Sequence, residues 1–130
     1  MGVFDTVSAI GAPYEVAAVQ PPVIGPLGFG NTNVGVHIQH AYHALALDEQ
    51  RQNFRPVMWH KTMSPPGVKD TQLLEQVWFG GGHSDIGGGW LVHDLADITL
   101  VWMVAKTKHM LEYDLDYIKV SQDGTLRALD

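Results

Sequence analysis

The feature that most constrains this chain is a glycine-rich turn in which six glycines surround three polar residues. The turn spans residues 80–89 (GGGHSDIGGG), follows the β-prone run 76–79 and precedes a helical pattern. Glycine tolerates positive φ and close backbone approach, so such a turn presents its polar side chains at the carboxyl end of a sheet, where open α/β folds keep their sites. The turn therefore predicts an α/β fold and makes His83 a candidate site residue. The alternative, a surface histidine that hydrogen-bonds to backbone carbonyls, stays open at this stage.

Ser84 lies in the same turn. A serine between a strand and a helix is the arrangement found in a nucleophile elbow. The G-x-S-x-G elbow needs a glycine two residues after the serine, but this chain has Ile86 there and Gly87 one step late. We therefore expect that Ser84 is not a nucleophile. The residues expected to shape the turn around His83 are Gly82, Ser84, Asp85, Gly87 and Gly88. A phosphate-binding loop is not indicated, because the turn lacks the G-x-x-x-x-G-K-[ST] pattern and contains no lysine.

Two segments have the composition of helices. Residues 39–53 are rich in Ala and Leu, which predicts a helix. Its charged residues are expected on the solvent-facing side: Asp48, Glu49 and Arg51. A stronger pattern runs from about residue 95 to 110, with Asp94 placed as N-cap. Few polar residues interrupt its middle, so we expect this helix to be heavily buried, as helices that flank a parallel sheet are.

The length of the chain predicts a single domain over residues 1–130. A β-prone run opens the chain at residues 2–7, and it is either a first strand or an internal strand of a longer protein. Glycine and proline dominate from about residue 11 to 33, which predicts a long loop. The tail, residues 111–130, offers one short strand at 117–120.

Composition narrows the classes of partner. The 130 residues include 8 Lys and Arg against 14 Asp and Glu, a formal net charge of −6, so we expect no nucleic-acid partner and no anionic membrane surface as main partner. The absence of cysteine excludes disulfides, thiolate zinc sites and cysteine nucleophiles. We expect no cofactor. No signal peptide or transmembrane segment is evident, which makes a cytoplasmic location the default expectation.

Three histidines at intervals of three suggest a different function. If residues 39–53 form a helix, His40 and His43 share a face, and together with His37 they could bind a metal. No carboxylate lies nearby at matching spacing, and no H-E-x-x-H pattern occurs. Exposed or capping histidines are therefore the favoured interpretation, and a histidine-based metal domain remains an alternative.

Four stretches together carry a family resemblance. They are residues 2–8 (GVFDTVS), 40–49 (HAYHALALDE), 77–89 (VWFGGGHSDIGGG) and 95–103 (LADITLVWM). In this order they resemble the catalytic domain of the phospholipase effectors of type VI secretion, an α/β-hydrolase family. The resemblance extends over residues 2 to about 110 and corresponds to the C-terminal half of that domain.

The resemblance implies a serine hydrolase that acts on ester bonds, with a triad in the chain order Ser, Asp, His. Asp5 would be the acid and His83 the general base. Asp85 is the alternative acid, although two residues from His83 it is better placed to shape the turn. No G-x-S-x-G occurs in the chain, so the nucleophile elbow and the usual oxyanion donor are expected upstream of Met1.

The missing nucleophile leads to an expectation for the chain alone. Without a nucleophile and an oxyanion hole, an Asp–His pair cannot carry out covalent acyl transfer, so we expect negligible hydrolase activity. An ester or phospholipid substrate is expected only for a full-length form. An unpaired sheet edge would favour association with the missing N-terminal half or with a second copy. The alternative from another class is a non-catalytic remnant that serves as an interaction module.

Overall fold

A computed structural model describes residues 1–7, 32–51, 54–63, 67, 70–114, 118–120 and 126–128, the last two segments by their backbone. Its central element is a three-stranded sheet with β1 (Gly2–Phe4), β3 (His40–Ala46) and β5 (Leu73–Phe79) in the order β1-β3-β5. Both pairings are parallel, with Phe4 opposite Ala44 and Ala46 opposite Phe79. The carboxyl ends of the three strands therefore meet at one edge.

Within the described ranges, two small sheets accompany the central one. β2 (Asn33–Val34) pairs in parallel with β4 (His60–Lys61). β6 (Ile118–Val120) pairs with β7 (Leu126–Ala128) in antiparallel orientation, so the short tail strand predicted at 117–120 is confirmed over its last three residues. Of the loop predicted at residues 11–33, residues 11–31 lie outside the described residues, and Asn33 belongs to β2.

The helix predicted over residues 39–53 is wrong. Residues His40–Ala46 form the middle strand of the parallel sheet and are buried apart from a half-buried His40. A strand that is covered on both faces shows no alternation of polar and apolar residues, and a run rich in Ala and Leu then has a helical composition. Pairing with β1 and β5 outweighs this weak preference of the residues for helix.

Two helices follow β5 in the described part of the chain. α1 (His83–Gly87) is one turn long and begins in the glycine-rich turn, and α2 (Asp94–Thr107) has 14 residues. The hydroxyl of Thr99 on α2 donates to the carbonyl of Ile86 on α1 at 2.8 Å, which joins the two helices. The apolar core lies between the helices and one face of the sheet, and its residues are Phe4, Ala44, Ala46, Phe79, Ile86 and Trp102.

The expected heavy burial of α2 is also wrong. Its buried residues are mostly polar, namely Asp97, Thr99 and Thr107, together with Met103. Four apolar residues of the helix are instead exposed: Leu95, Ile98, Leu100 and Val101. Only one side of a helix can face the sheet. Because the apolar residues of α2 are spread around its axis, composition alone does not say which side that is. The sequence predicted Asp94 as the N-cap, but His93 occupies the N-cap position and Asp94 is the first helical residue.

The fold class is therefore α/β, with parallel strands and flanking helices. None of the described helices is long and apolar enough to cross a membrane.

Candidate active site

Asp5 lies at the carboxyl end of β1, and its side chain is held rigidly. The residue is 1% exposed, and its backbone adopts φ +43°, in the left-handed region that costs a residue other than glycine roughly 1–2 kcal/mol. One carboxylate oxygen, Oδ1, accepts from the backbone N–H of Ala46 at 2.8 Å. The turn after β1 therefore directs a buried carboxylate toward the neighbouring strand ends.

His83 meets the second oxygen of that carboxylate. Its Nδ1 lies 2.8 Å from Oδ2 of Asp5, although 78 positions separate the two residues in the chain. The side chain of His83 is 31% exposed, so the imidazole is partly open to solvent while its partner is not. The structure thus brings together the two residues predicted as base and acid.

The carboxylate decides which nitrogen of His83 carries the proton. A carboxylate accepts hydrogen bonds and cannot donate them, so Nδ1 must be the protonated nitrogen in the neutral imidazole. Nε2 then presents a lone pair, and within the described residues it has no hydrogen-bond partner. A histidine in this state can accept a proton from a group placed against Nε2.

The other predicted residues of the turn surround His83 in different ways. Asp85 does not contact the imidazole; its Oδ2 accepts the backbone N–H of Gly82 at 2.8 Å, at the start of α1. Gly81 has φ +107°, and a Cβ built there would lie 2.5 Å from the Cβ of Asp85, so a larger residue does not fit. Ser84 lines a cavity of about 700 Å³ with residues 90–96.

Gly87 and Gly88, the other two glycines expected to shape the turn, lie at the end of α1. Gly87 is its last residue, and a Cβ built there would meet nothing within 4 Å. Gly88 follows with φ +85°, a backbone conformation that favours glycine.

Sequence reasoning missed three residues that contact or support His83. The Glu49 carboxylate accepts the backbone N–H of His83 at 3.1 Å, and the Phe54 ring packs against the imidazole in a T-shaped arrangement with centroids 5.1 Å apart. The Arg51 guanidinium lies 3.9 Å from the centre of the Phe54 ring. No sequence signal identified them, because Glu49 and Arg51 were assigned to the exposed side of a helix that does not exist.

Glu49 and Arg51 form a fork-shaped ion pair. Nε and Nη2 of Arg51 donate to the two oxygens of Glu49 at 2.9 and 2.7 Å, and the backbone N–H of Arg51 donates to Oε1 at 2.7 Å. The hydrogen bonds from the Arg51 side chain lower the pKa of Glu49 to about 2, with smaller contributions from the backbone N–H groups of Arg51 and His83. Glu49 is therefore ionised at neutral pH.

A second histidine, His43, lies on the face of β3 opposite the helices and is fully buried. Its Nε2 accepts the backbone N–H of Thr6 at 3.0 Å, and its Nδ1 lies 3.2 Å from Oε1 of Gln76. The ring stacks on Trp59 with centroids 4.3 Å apart. Burial lowers the pKa of His43, while the hydrogen bond to Gln76 and the charge of Asp5 act in the opposite direction.

The three histidines of the metal hypothesis do not come together. His40 and His43 point to opposite faces of β3, because side chains alternate along a strand, and His37 lies in an exposed turn. His40 and His43, three positions apart, would share a face only in the helix that was incorrectly predicted for this segment. Within the described ranges no group of three or more His, Cys, Asp or Glu side chains could hold a metal ion.

Comparisons with known proteins place the chain in a family. The family model described as "T6SS, Phospholipase effector Tle1-like, catalytic domain" matches residues 1–106 of the 130, so the chain belongs to this family. The resemblance identified from the four sequence stretches is thereby confirmed. No curated protein and no solved structure matches the chain.

Proposed function

We propose that this member of the Tle1-like catalytic-domain family carries the acid and base of a serine ester hydrolase of the lipase or phospholipase type. The observation that supports this most is the 2.8 Å contact between Nδ1 of His83 and Oδ2 of the buried Asp5. It joins the ends of two parallel strands, where α/β folds keep their catalytic groups. The proposed frame is that of a partial α/β-hydrolase fold, with Asp5 and His83 as its catalytic residues.

In this mechanism His83 moves the protons and Asp5 holds the imidazole. Nε2 of His83 takes the proton of a serine hydroxyl as its oxygen attacks the ester carbonyl, and it returns that proton to the leaving alcohol. Asp5 keeps the proton of the ring on Nδ1 and stabilises the imidazolium that forms during the step. Because both of its oxygens are hydrogen-bonded, the carboxylate cannot turn away from the ring.

The nucleophile is proposed to come from outside these 130 residues. They contain no G-x-S-x-G, and Ser84 is followed by Ile86 where the elbow requires glycine. Loss of the serine from a triad typically lowers turnover about a millionfold. We therefore propose that the 130-residue chain by itself is inactive, and that an ester or phospholipid is cleaved only when another segment supplies the serine and the oxyanion donor.

The experiment uses the purified chain with a p-nitrophenyl ester, with phospholipid in mixed micelles, and with a fluorophosphonate that labels active serines. We expect no labelling and no turnover above that of the His83→Ala variant. Turnover that requires His83 and is lost in Ser84→Ala would show that the chain carries its own nucleophile. This outcome would overturn the proposed division of the triad.

The genomic side of the proposal is tested at the 5′ end of the transcript. An in-frame G-x-S-x-G after a hydrophobic strand, encoded upstream of Met1, would supply the missing nucleophile. Asp5 and His83 could then be tested by turnover in the longer protein that contains this motif. A message that begins at Met1 would leave the protein without a G-x-S-x-G nucleophile elbow and would favour a non-catalytic remnant.

A second candidate function, an interaction module, is favoured by the apolar residues that the fold leaves exposed near α2. Trp90, Leu91 and Val92 precede the helix, and Leu95 and Ile98 lie on it. Exposed apolar residues grouped in this way are typical of surfaces that bind another molecule. Sedimentation analysis over a range of concentrations tests this candidate: self-association that is lost in Leu91→Ser supports it, whereas a monomer at all concentrations argues against self-association.

A further inference from the structure

A closed circuit of contacts links the backbone of His83 to its own side chain. The Glu49 carboxylate accepts the backbone N–H of His83 and binds the Arg51 guanidinium. Arg51 lies over one face of the Phe54 ring, and that ring contacts the imidazole of His83 in a T-shaped arrangement. The circuit thus starts at the backbone of His83 and returns to its side chain through three residues, none of which belongs to the proposed triad.

Each link has the geometry expected for a restraint on the ring. The arginine fork is planar and bidentate, so it fixes the guanidinium in orientation as well as in position. Stacking of the guanidinium on Phe54 then limits where that ring can lie. The Phe54 ring meets the imidazole at 62° between planes, which blocks rotation of His83 toward that side.

Burial distinguishes this ion pair from an ordinary surface salt bridge. The Arg51 side chain is 55% exposed, but the Glu49 side chain is only 4% exposed. Surface pairs usually contribute little because both side chains move freely in water. Glu49 instead receives hydrogen bonds from four N–H groups, three of Arg51 and one of His83, so its position is fixed.

We infer that Glu49 is a positioning residue for His83, acting through Arg51 and Phe54. Asp5 holds the imidazole at Nδ1, and the Phe54 ring holds it from the side, so the two restraints together direct Nε2. This inference rests on the proposed function for its importance to catalysis, but the restraint itself is a property of the 130-residue chain. It can therefore be measured without any turnover.

The test compares Glu49→Gln with the unsubstituted chain by NMR of the His83 ring. Glutamine keeps an oxygen for the His83 N–H but loses the charge that holds the Arg51 fork. We expect the Phe54 ring-current shift at the His83 ring protons to shrink. We also expect carbethoxylation of Nε2 by diethyl pyrocarbonate to become several-fold faster, because a freer ring is more accessible.

The matched control is Glu75→Gln. Glu75 pairs with Lys106 at 2.6 Å on another part of the sheet, so its loss removes an ion pair of the same kind without touching His83. Glu75→Gln should leave the His83 ring shifts and the carbethoxylation rate unchanged. If Glu49→Gln also leaves both unchanged, Glu49 does not position the ring and the inference is overturned.

A second variant, Arg51→Lys, guards against misfolding of Glu49→Gln. Arg51 is largely exposed, and lysine keeps the charge but forms neither the fork nor the same stacking on Phe54. We expect the same loss of ring-current shift with an unchanged unfolding temperature. An unaltered shift in Arg51→Lys would contradict the role of the fork. Failure of the proposed function would appear elsewhere, as a longer, nucleophile-bearing protein in which His83→Ala retains full turnover.

Discussion

Two histidines at the central sheet, His83 and His43, differ in how many of their ring nitrogens are hydrogen-bonded and in how exposed they are. His83 uses Nδ1 on a buried carboxylate and leaves Nε2 without a partner among the described residues, with nearly a third of its side chain exposed. His43 uses both nitrogens, on Thr6 and Gln76, and is fully buried under Trp59. Both rings are oriented by one acceptor at Nδ1, so orientation alone does not identify a catalytic histidine.

The two histidines differ in whether a ring nitrogen remains that can accept a proton. A histidine with both nitrogens satisfied and no exposure has no lone pair to offer a substrate, and its role is to fill and connect the core. A histidine with one nitrogen held and the other open has a defined tautomer and a free base.

The largest effect is expected for Asp5→Asn. The amide of asparagine would donate to Nδ1 of His83, so the ring proton would move to Nε2 and the free base would be lost. In triads this change lowers turnover about 10⁴-fold, and the same effect is expected in a nucleophile-bearing form of this protein. In the 130-residue chain, ¹⁵N shifts of His83 should report the change of tautomer directly.

Asp85→Asn is the control for this prediction, because Asp85 was the alternative acid. Its carboxylate accepts the N–H of Gly82, and asparagine keeps an oxygen for that bond. The tautomer of His83 should be unchanged. A change of tautomer in Asp85→Asn but not in Asp5→Asn would assign the acid to Asp85 instead.

The next effect is expected for His43→Ala, measured as the free energy of unfolding in urea. Removing the ring leaves a cavity beside Trp59 and takes the hydrogen-bond partner from the partly buried N–H of Thr6. These two losses should destabilise the chain by about 3 kcal/mol. His109→Ala is the control, because His109 is exposed, and its cost should stay within about 0.5 kcal/mol.

A smaller, pH-dependent effect is expected from the same residue. The pKa of His43 is lowered from 6.5 in the folded chain, so the unfolded chain binds its proton more readily. The contribution to stability is complete above pH 6.5 and is lost as the pH falls below it, with a slope of at most about 1.4 kcal/mol per pH unit. Urea unfolding at several pH values should show that, below pH 6.5, the free energy of unfolding of His43→Gln depends less steeply on pH than that of the unsubstituted chain. An identical pH dependence in both proteins would contradict it.

The smallest effect is expected for Thr6→Val. The Thr6 hydroxyl is buried and has no hydrogen-bond partner among the described residues, although the backbone N–H of the same residue is bound to His43. Valine has nearly the same shape, so stability should be unchanged or should rise by up to about 1 kcal/mol. A clear loss of stability would mean that the hydroxyl has a partner after all.

The sequence predicted the candidate pair but not its surroundings. Asp5 after a β-prone run and His83 in a glycine-rich turn were identified from motif and resemblance, and the structure brings them within hydrogen-bond distance. Glu49, Arg51 and Phe54 were not identified, because no local pattern links them to His83. Their contacts depend on the loop after β3 lying beside the turn after β5, which is a consequence of strand order.

The two errors in the fold have one physical origin. Residues 40–46 have helical composition and form a strand, and α2 has apolar residues on all sides but buries mainly polar ones. In both segments the local pattern lacks the periodicity that would indicate a face. Pairing and packing between distant segments then decide the outcome, because they involve more free energy than the propensities of single residues.

The sequence by itself determined the α/β class, the family and the two residues of the candidate pair. Those features depend on local chemistry: glycines that permit a tight turn, a carboxylate after a strand and a motif order that extends over most of the chain. Only the tertiary structure decided that His83 keeps a nitrogen with no partner among the described residues and that His43 is enclosed. That choice depends on which segments pack over each face of the sheet, and contacts between residues far apart in the chain leave no local trace in the sequence.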